Sequence, residues 1–259
     1  MFVTIVTDCV DENARGRQLS RAGAYFSCPA TLVGIHNDLE AAGNLIDVLD
    51  AGEGGEGIVL VNVAPRNGDG KKWPNGTPFG FFYYKRTLVL ASVDGLTLSL
   101  AKKLGIVSAL QLFDITTVTA HWKQRGRVSD EIKNRIDSTQ FRSFEFLPRA
   151  ALAIYEGGSL PATEFLINAI PDAPKALWWV DNFGNCKTTL LKEEINTASP
   201  VETSFGNFAF SPYLKDVPER QYGIVVGSSG IGERRFLEIV VQGGNAAQKF
   251  NLASGSVIM

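Results

Sequence analysis

A five-residue segment in the C-terminal half of the chain carries polar groups suited to ligand chemistry. It reads Asp181-Asn182-Phe183-Gly184-Asn185 and directly follows an apolar run at 176–180. The Asp181 carboxylate can accept from an ammonium group or from hydroxyls, and the Asn185 carboxamide offers a donor and an acceptor to the edge of a nucleobase. Gly184 lets the backbone approach a ligand closely. The alternative is an ordinary β-turn in which the Asp and Asn side chains satisfy only local backbone groups.

The elements that must position such groups alternate in type through the first part of the chain. Apolar runs at 2–7, 58–63 and 87–92 are typical of strands buried on both faces, whereas 96–104 and 130–136 have the pattern of helices. This alternation predicts an α/β domain with a mostly parallel sheet flanked by helices. Ligands of such sheets bind beyond the carboxyl ends of the strands, and Asp8 directly follows the first strand.

The pattern changes near 159–175, where three prolines interrupt regular periodicity. Short β-like segments follow at 177–181, 205–210, 221–226, 236–242 and 256–259. We therefore predict an α/β domain over 1–165 and a small all-β, barrel-like domain over 166–259. The glycine-rich piece at 227–232 leads into a strand and not into a helix, which disfavours a phosphate loop. It is predicted to be a hairpin loop, either plain or with its tip lining a pocket.

A long polar loop at 64–80 contains Asn67, Lys71 and several glycines. Its length and its turn-forming residues exceed what a simple connection needs, so a lid or a subunit contact is one interpretation. A flexible surface loop is the other.

Composition narrows the class of partner. The chain has 259 residues, of which 45% are hydrophobic, so it can bury a full core without disulfides. A net charge of −2 argues against nucleic acid and against anionic membranes, and favours a small molecule. No stretch approaches the roughly eighteen apolar residues of a membrane span, and the N-terminus reads as a strand and not as a signal.

Cysteine and histidine usage points to a cytoplasmic protein without a metal. Three cysteines with no paired spacing indicate reduced thiols, which are typical of the cytoplasm. The only histidines are His36 and His121, and no ligand spacing accompanies them, so we expect no metal site. His36 follows a predicted strand and is either a base or a structural residue. The tryptophans are candidates for stacking on a ligand or for core packing; they are Trp73, Trp122, Trp178 and Trp179.

Three blocks occur together in one order: Thr7-Asp8, the segment 181–185, and the segment 236–247, which contains Leu-Glu-Ile and then Gly-Asn-Ala-Ala. In this combination the chain resembles the S-adenosylmethionine hydroxide adenosyltransferase, chlorinase and fluorinase family over nearly its whole length. The resemblance implies that S-adenosylmethionine is a substrate, cleaved at the ribose 5′-carbon by hydroxide or halide, and that no separate cofactor is needed. It also implies a homotrimer in which the N-terminal domain of one subunit and the C-terminal domain of its neighbour share each ligand.

The resemblance assigns roles residue by residue. It implies that Asp8 accepts from both ribose hydroxyls, that Asp181 lies near the methionine end, and that Asn185 lies at the adenine edge. Asn245 and Ala246 fall in the backbone segment that contacts adenine. Ser228 or Ser229, with Arg234 or Arg235, fall where the family contacts the methionine carboxylate. The predicted substrate-binding set is Asp8, Asn13, Asp181, Phe183, Asn185, Ser228, Ser229, Arg235, Asn245 and Ala246.

The departures from the family pattern are equally specific. Ala64 falls at the position of the aspartate that activates water, and Phe141 falls at or near that of the family histidine. The family arginine corresponds most nearly to Lys71, and Asn13 replaces an acid that holds the methionine amine. Lys71 and Asn67 are therefore the predicted catalytic residues, as donors that hold a small anion or water. Three hypotheses follow: an adenosyl-transferring enzyme, a nucleoside-binding protein that has lost catalysis, and an interaction protein with a vestigial pocket.

Overall fold

The computed structural model describes residues 1–64 and 77–259. The chain divides into two compact units, Met1–Pro171 and Asp172–Met259. The sequence places its domain boundary between 165 and 166, in the same proline-interrupted segment.

The N-terminal unit is built on a seven-stranded sheet with the order β2-β1-β3-β5-β4-β6-β7. The four neighbours β2-β1-β3-β5 are parallel, and the three remaining pairs are antiparallel. The carboxyl ends of the four parallel strands therefore point to one edge of the sheet. The strands are β1 Phe2–Thr7, β2 Ala30–Gly34, β3 Gly57–Asn62, β4 Phe79–Tyr84, β5 Thr87–Ser92, β6 Ala109–Leu112 and β7 Thr163–Leu166.

Seven α-helices accompany this sheet in the described part of the unit. Four of them begin at a polar side chain that accepts from a backbone N–H of the first turn, which satisfies donors that the helix itself leaves open. These caps are Asp11, Asn37, Asp114 and Ser129. The helices are α1 Glu12–Phe26, α2 Asp38–Ala51, α3 Ser99–Lys103, α4 Ile115–Gln124, α5 Asp130–Ser138, α6 Arg142–Glu145 and α7 Leu147–Tyr155.

The core of this unit lies on the central strands. All six residues of β3 and all six of β5 are buried, as expected for strands covered on both faces. Phe146 and Trp122 complete the core with ring centroids 5.6 Å apart, so Trp122 packs in the interior.

The C-terminal unit is β-rich. Its main sheet has five strands in the order β12-β13-β14-β9-β8, and β10 pairs with β11 separately. An apolar cluster that includes Leu177, Cys186, Leu237 and Ile239 forms its core. The predicted fold class, an α/β N-terminal domain with a β-rich C-terminal domain, is confirmed. The elements are β8 Leu177–Val180, β9 Cys186–Leu191, β10 Val201–Thr203, β11 Gly206–Phe208, β12 Phe210–Ser211, β13 Tyr222–Ile231, β14 Arg234–Val241 and α8 Ala246–Phe250.

Local predictions differ from the structure at three places. The glycine-rich piece at 227–232 is not a hairpin loop: most of it belongs to β13, whose register with β14 shifts between Val226 and Gly230. The predicted strand at 256–259 is reduced to one bridge, between Ala176 and Val257. The helix predicted at 96–104 is limited to Ser99–Lys103, since the residues before it form a turn at Gly95 (φ 57°).

Candidate functional site

Asp8 lies at the carboxyl end of β1 with 9% of its surface exposed. Its Oδ2 accepts from the backbone N–H of Ala64 at 3.0 Å, and the Cys9 thiol lies 3.8 Å from its Oδ1. Because Ala64 follows β3, this bond ties the ends of two adjacent parallel strands together. The structure thus gives the Asp8 carboxylate a fixed position at the sheet edge where α/β proteins bind ligands.

The neighbouring strand ends are fixed in the same way. Ser92, the last residue of β5, accepts from the backbone N–H of Val63 at 3.2 Å. The turn after β5 is held by Asp38, whose Oδ2 accepts from the Leu96 N–H at 2.7 Å. A side chain at Gly95 in this turn would displace the Asp38 carboxylate, because a Cβ there would overlap it. Side-chain hydrogen bonds to the backbone therefore connect the strand ends at this edge.

His36 lies just before the start of α2. Its backbone N–H donates to Oε2 of Glu40 at 2.7 Å, and its Nδ1 lies 3.1 Å from the same oxygen. The His36 side chain is 77% exposed, whereas that of Glu40 is 5% exposed. Both contacts of His36 belong to the beginning of the helix, which is the structural role that the sequence left open. A catalytic role for His36 stays a hypothesis.

Asn13 lies exposed in the first turn of α1, beside an open groove. Arg17 and Phe144 also line this groove, and the Arg17 guanidinium lies 4.7 Å from the centre of the Phe144 ring. Glu12 lines it as well, so the groove beside Asn13 has walls of both charges and an aromatic ring.

The two predicted catalytic residues, Lys71 and Asn67, lie outside the described residues, as does most of the polar loop for which a lid is one interpretation. Of the other departures, Phe141 is 67% exposed just before α6. Ala64 uses its backbone N–H on Asp8.

In the C-terminal unit, the segment 181–185 forms the turn between β8 and β9. Oδ1 of Asp181 accepts from the backbone N–H groups of Phe183 (2.8 Å) and Asn185 (2.9 Å). Oδ2 accepts from the Asn185 carboxamide at 3.0 Å. The local bonding of an ordinary turn is therefore present. A carboxylate has about four acceptor positions, so these three bonds leave acceptor capacity for a ligand.

This turn packs against the start of α8. The Ala247 N–H donates to the Gly184 carbonyl at 2.9 Å. Gly184 has φ 83°, and a Cβ there would overlap the carboxamide of Asn245. Asn245 in turn caps α8 by accepting from the Gln248 N–H at 2.7 Å. The structure thus brings the turn that contains Asn185 together with the segment of Asn245 and Ala246, the residues that the family resemblance relates to adenine.

Phe183 projects from this turn with 70% of its surface exposed. An exposed aromatic side chain beside carboxamide and backbone groups is suited to stacking on a planar base.

The third predicted segment lies where β13 departs from its register with β14. Glu238 accepts from the Ser228 N–H at 3.0 Å and from its hydroxyl at 3.2 Å. Arg235 binds the backbone carbonyl groups of the same segment: the Arg235 Nη1 lies 3.1 Å from the carbonyl oxygens of both Ser228 and Gly230. Its Nε donates to the Gly232 carbonyl at 2.8 Å. Arg235 therefore uses its Nε and Nη1 donors to hold the backbone of this segment.

Ser229 is buried in this irregular segment and accepts from the Lys187 ammonium at 2.7 Å. Lys187 also lies over the Trp178 ring, 5.2 Å from its centre. Lys187 is not among the residues predicted from the sequence, and Glu238 stands in the predicted 236–247 block without a role of its own. The pattern that could have revealed them is a charged residue within an otherwise apolar or uncharged strand, at 186–191 and 236–241.

Cys186 is a buried free cysteine with a poorly reactive thiol. Burial raises the pKa of its thiol to about 12, with smaller contributions from the charges of Asp181 and Glu238. The thiol therefore stays protonated and serves packing under the turn.

Metal-ligand clusters and membrane spans are both absent from the part of the chain that the structure describes. Across 1–64 and 77–259, no three His, Cys, Asp or Glu side chains cluster as metal ligands. None of the helices described above has both the length and the apolar character needed to cross a membrane.

Comparison with known proteins places the C-terminal unit. Residues 176–259 match the family model of the SAM hydroxide adenosyltransferase C-terminal domain. The chain is similar to the crystal structure of an uncharacterized conserved protein from Thermotoga maritima, with 16% sequence identity and a TM-score of 0.66; the match covers 100% of each chain. A conserved hypothetical protein from Thermus thermophilus matches at 17% identity and a TM-score of 0.59, over 100% of this chain and 99% of that one. No curated protein matches. At these identities the two structures show a shared fold.

Proposed function

We propose that the protein binds S-adenosylmethionine and cleaves its ribose C5′–sulfur bond, because the match over 176–259 supports the SAM hydroxide adenosyltransferase family for this chain. The observation that carries the proposal is the packing of the 181–185 turn on the start of α8 through Gly184 and Ala247. This contact brings the turn of Asn185 and the Asn245 cap to one spot with an exposed Phe183 beside them. Such a spot offers an aromatic face and amide groups to an adenine.

The reaction is an in-line displacement. Water or a small anion forms a bond to C5′, the C–S electron pair moves to sulfur, and methionine leaves as a neutral thioether. Attack by water gives adenosine and releases one proton, whereas attack by chloride gives 5′-chloro-5′-deoxyadenosine and releases none. Since a sulfonium is a good leaving group, the protein's main tasks are to orient the ribose and to remove water from the nucleophile.

Asp8 is proposed to orient the ribose. Its carboxylate is buried and held at one oxygen by the Ala64 N–H. Ligand binding therefore loses little conformational entropy of the Asp8 side chain. A carboxylate in a fixed orientation can accept from two vicinal hydroxyls. Lys71 and Asn67 are proposed to hold the nucleophile.

A second candidate function is adenosine binding without turnover. It is favoured by Ala64, which gives the strand end beside Asp8 a methyl group where the related hydrolases are expected to carry a carboxylate. Without that acid, water has no partner at this position to take its proton. A small anion needs no such base.

We also propose the assembly and setting predicted from the sequence, a cytoplasmic homotrimer with each ligand at an interface between subunits. Light scattering would give the subunit number. If neighbouring subunits share each ligand, mixing inactive Asp8→Asn and Asn185→Ala proteins would restore part of the activity. Absence of any recovery in mixed trimers would contradict the shared site.

The proposed function is tested by incubating the protein with S-adenosylmethionine, with and without chloride, and separating the products by liquid chromatography and mass spectrometry. We expect methionine together with adenosine or the chlorinated nucleoside. Asp8→Asn should abolish product formation, whereas the matched control Asp11→Asn, in the exposed cap of α1, should retain it. Adenosine binding by calorimetry without any product would favour the second function. Absence of both binding and product would refute both.

A further inference from the structure

The irregular segment of β13 carries two hydroxyls, Ser228 and Ser229, that have different partners. Ser228 is bonded to Glu238, and Ser229 is bonded to the ammonium of Lys187. Lys187 and Glu238 face each other in register on β9 and β14. Glu238 therefore anchors the hydroxyl of Ser228, and its cross-strand neighbour Lys187 anchors the hydroxyl of the next residue, Ser229.

The two arginines predicted for this region have partners within the protein. Arg235 donates to the carbonyl oxygens of Ser228, Gly230 and Gly232. Arg234 is exposed and lies 3.4 Å from Glu193. The arginine positions thus serve the backbone and the surface.

Lys187 is placed differently. It follows Asn185 by two positions, so it lies at the start of β9 directly after the turn that is proposed to hold adenine. Its ammonium is oriented by Ser229, which is 2% exposed, and by the face of Trp178, which is 1% exposed. An ammonium held in a defined orientation is suited to binding an anion.

We propose that Lys187 is a specificity-determining residue that binds the carboxylate of the ligand's amino-acid end. This inference rests on the proposed function, because S-adenosylmethionine contains one anionic group, its carboxylate. Ser229 positions the ammonium, and Arg235 and Glu238 keep the segment that carries Ser229 in place. Lys187 thereby makes the site prefer a nucleoside with a carboxylate over one without it.

The test compares three ligands by calorimetry: S-adenosylmethionine, its decarboxylated analogue, and adenosine. The wild-type protein should bind S-adenosylmethionine more tightly than the decarboxylated analogue. Lys187→Met should reduce this preference by roughly tenfold or more, the size expected for a charge-assisted hydrogen bond, and leave adenosine affinity unchanged. Lys187→Arg should retain most of the preference. The control Lys192→Met removes another lysine that packs on an aromatic ring, Phe210, and should change none of the affinities.

The outcomes separate the inference from the proposed function. If the wild type binds adenosine but shows no preference for the carboxylate, or if Lys187→Met keeps the preference, the inference is wrong while nucleoside binding stands. If Lys187→Met lowers all three affinities equally together with the melting temperature, Lys187 is structural and the inference is again wrong. If the wild type binds none of the ligands, the proposed function fails and the inference fails with it.

Discussion

Replacing Gly184 by alanine should destabilise the C-terminal unit by about 2–3 kcal/mol. Gly184 has φ 83°, a conformation that costs an L-residue about 1–2 kcal/mol. The new Cβ would also overlap the Asn245 carboxamide, which must then leave the Gln248 N–H that it caps. Loss of an N-cap costs about 1 kcal/mol, which gives the total. The free energy of unfolding from urea titrations at 25 °C measures this change.

Two variants separate the contributions. Gly255→Ala is the matched control, because Gly255 has φ 88° in the same unit and a Cβ added there would meet nothing within 4 Å. It should show the conformational cost alone. In an Asn245→Ala background, Gly184→Ala should likewise cost only about 1–2 kcal/mol, because the overlapping group is gone. Equal losses for Gly184→Ala and Gly255→Ala in the wild-type background would refute the proposed contact between the turn and the cap.

Three further predictions concern single side chains. The pKa of Asp114 is lowered mainly by its hydrogen bonds to Thr117 and also to Thr116. The Asp114 carboxylate therefore contributes its full stabilisation above the unfolded pKa of 3.8, and this contribution is lost as the pH falls through the lower folded pKa. Asp114→Asn should keep the helix cap but remove this pH dependence of stability, which acid unfolding curves measure. The thiol of Cys186, with its pKa of about 12, should be the last cysteine alkylated by iodoacetamide at pH 8 in the folded protein, and rapid labelling there by mass spectrometry would contradict its burial. Glu238→Ala should destabilise the protein by about 1.5–3 kcal/mol in urea titrations, because the N–H and the hydroxyl of Ser228 both lose a charged acceptor. Glu238→Gln should cost less, since its amide oxygen still accepts. Equal losses for the two variants would count against these hydrogen bonds.

Much of the fold follows from patterns that the sequence displays locally. The predicted strand boundaries agree with the structure at Phe2–Thr7 and Thr87–Ser92, because short, mainly apolar and β-branched runs specify strands buried on both faces. The irregular segment of β13 has the composition of a loop, because glycine and serine are typical of loops. Pairing with β14 overrides that preference, and Glu238 and Arg235 satisfy the backbone groups that the register shift leaves open.

The candidate site divides in the same way. The sequence predicted ligand-binding roles for Asp181, Gly184 and Asn185 from their side-chain chemistry and their turn, and for Asn245 through the family resemblance. It could not identify Lys187, whose partner Ser229 lies 42 residues away.

The amino-acid sequence by itself determined which chemical groups are available and the order of the elements that carry them, since propensity, periodicity and turn chemistry act over a few neighbouring residues. Only the tertiary structure decided which groups meet: Gly184 with Asn245, Glu238 with Ser228, and Lys187 with Ser229. The physical reason is that a strand's register fixes the face on which each side chain lies, and that register depends on pairing with strands distant in the chain.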